Sequence, residues 1–220
     1  MCLIGRAGIL PDGDTMDLAR ADVAAARDAI AKNRDFVVGV KARLSRDVAG
    51  ANDFEVLRRS QEVASAFNLP VMIHMGQTMS PLPKLVGLLK RGDIVTHMFA
   101  PPPNSIVDDG DDRGHILPEV LAARRRGVWF DVGNGQTGHM RWDTVGAIMK
   151  AGFWPDTFST DWNVNSDDGG DRPAQLHVEA RDRGARLGIA HPGLSVATGF
   201  RQDTRGRSDD ATCGRDVHDP

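Results

Sequence analysis

The sequence predicts an α/β domain in which parallel strands alternate with helices. Short runs rich in valine and isoleucine are separated by longer segments of helical periodicity, in the order strand then helix throughout. Six of these strand-like runs are continuously apolar, as is typical of parallel strands covered on both faces. A barrel and a doubly wound sheet would satisfy these observations equally well.

The predicted elements follow one another in a regular order. Residues 2–7 form a first strand, and residues 17–32 form an alanine-rich helix with Asp14 or Thr15 as its cap. A helix capped by Asn52 or Asp53 extends to Phe67, because its apolar residues recur at three- and four-residue steps. The other predicted strands are residues 36–41, 70–74, 93–97, 128–133 and 157–161, and the other predicted helices are residues 82–90, 117–126 and 142–150.

Composition argues against several classes of partner. The 220 residues carry 27 basic and 30 acidic side chains, so no basic stripe is available to neutralise nucleic acid. Cys2 and Cys213 lie far apart without CxxC spacing, which predicts no disulfide framework and favours a reducing cytoplasm. The first residues do not resemble a signal peptide, and no apolar run is long enough to span a bilayer. We therefore expect a cytoplasmic protein without nucleic-acid or membrane partners.

Titratable side chains occupy the last position of four predicted strands: Lys41, His74, His97 and Asp161. Ligands bind at the carboxyl edge of parallel strands, where the loops converge over a rigid scaffold. One strand-end histidine is as readily a hydrogen-bonded surface residue as a ligand, but four polar ends coincide here. Histidine and carboxylate bind zinc, and a catalytic zinc site keeps a position open for water. Lys41 is the exception, because an ammonium is no metal ligand and could simply form an ion pair at the rim.

The segments that carry these residues resemble a known family in consecutive order. NRDFVVGVKARLS, LPVMIHMGQT, GDIVTHMF, RGVWFDVGNGQ and PDTFSTDWN resemble the amidohydrolase superfamily, and most closely its dihydroorotase-like amidohydrolase and deacetylase branch. The resemblance covers about residues 1–166 and implies a partial TIM-type (β/α) barrel of about six βα units, without the first strands and the small β domain.

The same resemblance implies a function and a set of site residues. It implies a metal-dependent hydrolase of amide, cyclic amide or acetyl ester bonds in a small-molecule substrate, with metal-bound hydroxide attacking the carbonyl. One or two ions of zinc or another divalent metal are expected. Lys41 would be carboxylated to a bridging carbamate, and His74 and His97 would bind the second metal. Asp161 would contact the first metal, orient the water and pass its proton to the leaving group.

Departures from the family pattern support a second hypothesis. The family holds its first metal with a His-x-His pair on the first barrel strand, and no such pair occurs in the sequence. Asn134 and Asn163 stand where relatives often have histidine. The alternative is therefore an inactive truncated remnant that binds at most one metal. A third hypothesis, a flavodoxin-like binding domain, would need a glycine-rich phosphate loop after the first strand, where only GRAG is present.

The remaining segments give weaker indications. Residues 167–220 contain no lysine and few large apolar residues, which predicts a separate, non-homologous or disordered tail. Our hypothesis is that this tail is frame-shifted or otherwise non-homologous coding. We therefore exclude its histidines, His177, His191 and His218, as ligands.

Residues 100–115 are predicted to form either a lid over the site or an irregular surface loop. For the loop 133–139 two interpretations are open. Either Asn134 or backbone amides contact the substrate, or the glycines are present only because the turn requires their backbone conformation. We do not select His139 as a ligand. An open partial barrel would expose apolar flanks, so we expect either a homo-oligomer or poor solubility.

Overall fold

The computed structural model describes residues 2–5, 14–108, 114–134, 139–159 and 195–196. Within these ranges the chain alternates between strands and helices, as the sequence predicts. The strands are β1 (Cys2–Leu3), β2 (Val40–Arg43), β3 (Val71–His74), β4 (Ile94–Thr96), β5 (Trp129–Asp131), β6 (Thr157–Phe158) and β7 (Ser195–Val196). The helices are α1 (Val23–Lys32), α2 (Arg46–Ala49), α3 (Asp53–Ala66), α4 (Leu82–Gly87), α5 (Pro118–Arg126) and α6 (Trp142–Lys150), with a 3₁₀ turn at Gly50–Asn52.

The order of the strands decides between the two predicted architectures. All described strands are parallel, and they lie in the sheet in the order β1-β2-β3-β4-β5-β6-β7. A doubly wound sheet reverses its strand order at a switch point, whereas a barrel adds each strand beside the previous one. The described sheet contains no reversal, so the fold is a partial TIM-type barrel of βα units and not a flavodoxin-like sheet.

Burial alternates along β2 and β3 and defines two faces of the sheet. The buried set is Val40, Ala42, Val71 and Ile73, and the partly exposed set is Lys41, Arg43, Met72 and His74. The buried face joins a core that includes Ile30 of α1, Leu57 of α3 and Leu85 of α4. The expectation that these strands are equally covered on both faces is wrong, because their second face carries the polar residues of the candidate site.

The first helix begins later than predicted. Asp22 caps α1, since its carboxylate accepts the backbone N–H of Ala25, and the predicted caps Asp14 and Thr15 are buried away from the helix. Asp17 accounts for the difference, because its carboxylate accepts the backbone N–H of Ala19 and forms a turn before the helix. The predicted start at residue 17 is therefore wrong by six residues.

Two other predicted boundaries also shift. The strand predicted over residues 36–41 is observed as Val40–Arg43, while Phe36 and Val38 are exposed, so Lys41 is not the last residue of its strand. The helix predicted over residues 82–90 ends at Gly87. The backbone N–H groups of Leu88 and Leu89 donate to carbonyls three residues earlier, which is the pattern of a 3₁₀ turn and not of an α-helix. The predicted second and last helices match α3 and α6 closely.

The loop 100–115 is partly integrated into the core. Ile106 and Val107 are buried, and Val107 forms an antiparallel bridge with Ile116. Ser105 donates to the carbonyl of Ala100 and closes the first part of the loop. The described part of this loop is therefore packed against the barrel, and residues 109–113 lie outside the described ranges.

Most of the predicted tail, residues 167–220, also lies outside the described residues, including His177, His191 and His218. Its described part is β7, which pairs in parallel with β6. Across the described ranges, no helix combines the length and the apolar character needed to cross a lipid bilayer.

Candidate metal centre

Three histidine side chains meet at the carboxyl edge of the sheet. His74 is the last residue of β3, His97 follows β4, and His139 lies in the loop before α6. Their candidate ligand nitrogens all lie within 4.8 Å of one another. The ring centroids are 4.3 Å apart for His74 and His97, 3.9 Å for His97 and His139, and 5.4 Å for His74 and His139.

His97 is held in a fixed orientation and tautomer. The side chain is fully buried, and its Nδ1 lies 2.6 Å from the carbonyl oxygen of Gly133. Because a carbonyl oxygen can only accept, Nδ1 carries the proton and Nε2 keeps its lone pair. A histidine whose second nitrogen donates to a backbone carbonyl is typical of metal ligands.

The backbone of His97 explains why β4 ends at Thr96. His97 has a φ of +67°, in the left-handed region that residues other than glycine rarely adopt. This conformation turns the chain away from the strand direction just at the carboxyl edge. The predicted strand over residues 93–97 is therefore too long at its carboxyl end, because His97 is the first residue of the loop.

His139 is the member of the cluster that sequence reasoning missed. It comes seven residues after Val132 along a glycine-rich loop, of which residues 135–138 lie outside the described ranges. The one available signal was that this loop leaves the same sheet edge as His74 and His97. Loop conformation is not encoded in a periodic pattern, so its proximity to the other two rings was not predictable.

Two cations lie on the same face as His74. Lys41 pairs in register with Met72, and Arg43 pairs with His74. Lys41 is therefore two residues deeper than His74, or about 7 Å at about 3.3 Å per residue, and its Nζ is 3.5 Å from Met72 Sδ. Lys41 thus lies on the amino-terminal side of the cluster along the strands, while Arg43 lies at the same level as His74.

Burial and these charges lower the pKa of two of the histidines. The pKa of His74 lies well below its usual value because of burial first, then Lys41, His139 and Arg43. The pKa of His97 is lowered by burial, His74, Lys41 and His139, while the hydrogen bond to Gly133 opposes the shift. Both rings are therefore neutral at pH 7, which is the protonation state that binds a metal ion.

The residue set fits a divalent metal. Neutral imidazole nitrogens from three histidines form a known ligand set of catalytic zinc sites. Within the part of the chain that the structure describes, these three are the group of histidine, cysteine or acidic side chains close enough to share an ion. Asp161, the fourth predicted site residue, lies outside the described residues, as do residues 135–138 of the glycine-rich loop.

Asn134 is described, and its backbone N–H donates to the carbonyl of Ser159 at 3.1 Å. This bond ties the loop after β5 to the segment after β6. Asn134 thus lies at the carboxyl edge of the sheet, between the segments that follow β5 and β6, and its contact with substrate stays a prediction.

Comparison with known proteins gives consistent relatives. A deacetylase of Enterococcus faecalis is 30% identical over 168 residues, which are 76% of this chain, and a deacetylase of Agrobacterium fabrum is 23% identical over 150 residues, which are 68% of this chain. The crystal structure of an adenine deaminase superposes with a TM-score of 0.69 at 30% identity over 76% of this chain. No protein-family model matches the sequence.

The chain is similar to members of the amidohydrolase superfamily. The crystal structure of a dihydroorotase gives the same TM-score of 0.69 over 86% of this chain, and its 22% identity makes it evidence for the fold alone. These likenesses confirm the predicted resemblance to this superfamily and the partial TIM-type barrel.

The chain spans less than half the length of the relatives it matches. It covers 45% of the E. faecalis deacetylase, 36% of the A. fabrum deacetylase, 45% of the adenine deaminase chain and 48% of the dihydroorotase chain. Relatives of this kind are enzymes.

Proposed function

We propose that the chain is a metal-dependent hydrolase of amide, cyclic amide or acetyl ester bonds in a small-molecule substrate. The observation that carries the proposal is the cluster of His74, His97 and His139, with nitrogens within 4.8 Å of one another at the carboxyl edge of the sheet. The carboxyl edge is where barrel enzymes place their active sites. Likeness to proteins named deacetylase and adenine deaminase supports the same class of reaction.

The proposed ligand set combines the observed cluster with two residues inferred from the family resemblance. His74, His97 and His139 would hold the ion through neutral nitrogens. Lys41 would join them as a carbamate, which would replace an ammonium that repels a dication with an anionic ligand. Its location on the face of His74 supports this role. Asp161 would complete the site.

Each group would contribute a defined piece of chemistry. When bound, the divalent ion would supply Lewis acidity and lower the pKa of water. Asp161 would accept the proton of the attacking water and deliver it to the leaving group. Arg43, at the level of His74, adds positive charge at the mouth of the site and would favour substrates with an anionic group. Zinc is the proposed metal, because imidazole nitrogens suit it and it has no redox chemistry to control.

The rival proposal is an inactive remnant that binds at most one metal. The absence of a His-x-His pair from the sequence favours it, because the family uses that pair for its first metal. His139 favours the enzyme instead, since it adds a third histidine to an otherwise incomplete set. The two proposals make opposite predictions for turnover by a metal-loaded chain.

Activity of the zinc-loaded chain tests the proposal. The chain would be stripped with a chelator, reloaded with zinc and assayed on N-acetylated amino acids, cyclic amides and acetyl esters. We expect hydrolysis that disappears with the chelator and falls at least about 100-fold in His97→Ala, because the ligand that fixes the ion is lost. His115→Ala, which removes an exposed histidine, is the matched control and should retain activity. A chain that binds zinc but hydrolyses none of these substrates would establish the remnant.

We also propose a cytoplasmic location and self-association in solution. Cys2 and Cys213 lie far apart in the sequence without CxxC spacing, which is compatible with a reducing compartment. Trp129 supports self-association, because it is 49% exposed on the face of β5 opposite to the buried Phe130.

A further inference from the structure

A buried carboxylate beside the histidine cluster takes no part in the ligand set. Asp131, the last residue of β5, is 2% exposed. Its Oδ2 accepts the hydroxyls of Thr96 at 2.6 Å and Ser159 at 2.7 Å, and its Oδ1 accepts the hydroxyl of Thr157 at 2.7 Å. One carboxylate therefore joins β4, β5, β6 and the segment after β6 at the edge where the histidines converge.

The segment from Asp131, at the end of β5, to Gly133 holds His97 and both of its neighbours. Thr96, before His97, donates its hydroxyl to the side chain of Asp131. Met98, after His97, donates its backbone N–H to the carbonyl of Asp131 at 3.1 Å. His97 itself donates from Nδ1 to the carbonyl of Gly133 at 2.6 Å. Three consecutive residues are thus bonded to residues 131–133.

These bonds hold two residues, His97 and Gly133, in left-handed backbone conformations. His97 has a φ of +67° and Gly133 a φ of +55°. A histidine in this region stores strain, which persists when surrounding contacts fix the conformation from several sides. The bonds from Thr96 and Met98 to Asp131 fix the backbone on either side of the strained residue.

The contact between the two segments is also sterically close. A Cβ atom on Gly133 would lie 2.1 Å from Thr96 Oγ1, 2.9 Å from His97 Nδ1 and 3.2 Å from Asp131 Oδ2. The carbonyl of Gly133 can therefore reach His97 only while β4 and β5 keep this spacing. The Thr96 to Asp131 hydrogen bond spans the two strands next to that contact.

We propose that Asp131 is a positioning residue that fixes the orientation and tautomer of His97. By anchoring Thr96 and the backbone of Met98, it keeps Nδ1 of His97 on the Gly133 carbonyl, so that Nε2 is presented to the cluster. Its consequence for metal affinity rests on the proposed function, whereas its effect on the tautomer does not. A purely structural tie between strands is the competing explanation.

The tautomer of His97 in the metal-free chain tests the proposal directly. Two-bond ¹H–¹⁵N correlation spectra distinguish a ring protonated on Nδ1 from one protonated on Nε2. We expect His97 to be the Nδ1–H tautomer in the wild type and a mixture of tautomers in Asp131→Asn, because the amide can no longer accept from hydroxyls on both atoms. An unchanged tautomer in that variant would overturn the proposal.

Asp93→Asn is the matched control. Asp93 is also buried, precedes β4, and accepts the backbone N–H groups of Val71 and Lys90 at 2.8 Å each. It therefore ties strands together as Asp131 does, but at their amino ends, away from the histidines. Asp93→Asn should lower stability and leave the His97 tautomer unchanged. If both aspartate variants shift the tautomer alike, the effect is general loosening and the proposal is wrong.

A pair of threonine variants covers the case in which Asp131→Asn does not fold. Thr96→Ser keeps the hydroxyl that Asp131 accepts, whereas Thr96→Val keeps the size and removes it. Thr96→Ser should retain the wild-type tautomer and Thr96→Val should shift it. Equal tautomers in the two folded variants would contradict the proposal.

Zinc affinity extends the test to the metal centre. Competition with a chromophoric chelator should show affinity about 10- to 100-fold weaker in Asp131→Asn or Thr96→Val than in the wild type, as is typical for loss of a group that orients a ligand. If the wild type binds no zinc but the tautomer still shifts, the proposed function fails and the positioning role stands. If the wild type binds zinc and neither the tautomer nor the affinity changes in these variants, the positioning role fails and the proposed function stands.

Discussion

Replacing Gly133 by alanine should damage both the fold and the histidine cluster. The new Cβ would lie 2.1 Å from Thr96 Oγ1 and 2.9 Å from His97 Nδ1, and the residue would keep a φ of +55°. Both the backbone and the neighbouring side chains therefore resist the substitution. The Thr96 hydroxyl would have to leave Asp131, and the His97 ring would have to leave the Gly133 carbonyl.

The expected cost can be divided into two parts. Holding an L-residue in the left-handed region costs about 1–2 kcal/mol. Forcing a methyl group into a packed contact costs about 1–3 kcal/mol more. We therefore expect Gly133→Ala to lower the free energy of unfolding by about 2–5 kcal/mol.

Two other glycines separate these contributions. Gly92 has a φ of +89°, but no atom lies within 4 Å of a Cβ placed there, so Gly92→Ala should show only the backbone part of about 1–2 kcal/mol. Gly146 lies within α6, again with no atom within 4 Å, so Gly146→Ala should stabilise the chain by about 1 kcal/mol through helix propensity.

Urea unfolding of the metal-free variants, followed by circular dichroism, measures these differences. From the most to the least stable, the order should be Gly146→Ala, wild type, Gly92→Ala and then Gly133→Ala. Equal stability of Gly133→Ala and Gly92→Ala would refute the close packing of Gly133 against Thr96 and His97.

Three further predictions concern charge and surface. The metal-free chain should lose about 2 kcal/mol of stability between pH 7 and pH 5.5, because the unfolded state gains protons there while His74 and His97, with lowered pKa values, stay neutral in the fold. Arg124→Gln should cost about 2–3 kcal/mol in urea unfolding, because its guanidinium donates to Asp156 Oδ2 at 2.9 Å and lies 3.8 Å from the ring centre of Phe153. Size-exclusion chromatography should show self-association, because a large apolar side chain is half exposed on β5.

Each of these predictions has a control and a contradicting result. Above pH 7, His74 and His97 are neutral in both the folded and the unfolded state, so they should leave the free energy of unfolding nearly constant. Equal stability at pH 7 and pH 5.5 would contradict the conclusion that both rings stay neutral in the fold. Arg125→Gln changes an exposed neighbour of Arg124 and should stay within about 0.5 kcal/mol of the wild type. Trp129→Gln should weaken self-association, and a wild type that elutes as a monomer would contradict the expected oligomer.

The alternation of elements was predictable from the sequence because it depends on local patterns. The apolar runs and helical periods correctly predicted α3, α6 and the strands ending near His74 and His97. The choice between a barrel and a doubly wound sheet was not predictable from these patterns, because it depends on which strands pair. Strand order is a property of long-range contacts, and the observed order decided the question.

The candidate site was predictable only in part. His74 and His97 stood out because each ends an apolar run, and the structure brings them together. His139 escaped because its position depends on the path of an irregular loop. Asp131 was not predicted as a site residue, because it lies within an apolar strand run. A carboxylate inside such a run indicates a buried hydrogen-bond network, which the structure contains. Lys41 and Asp161 stay predictions as ligands.

Zinc binding by the purified chain tests the central claim most directly. Metal content after exposure to zinc and gel filtration would be measured by plasma mass spectrometry for the wild type, the His74→Ala/His97→Ala double variant and His115→Ala. We expect about one zinc ion per chain in the wild type and His115→Ala, and none in the double variant, because His74 and His97 supply two of the three histidine nitrogens. A wild type that retains no zinc, or a double variant that retains as much as the wild type, would contradict the three-histidine centre.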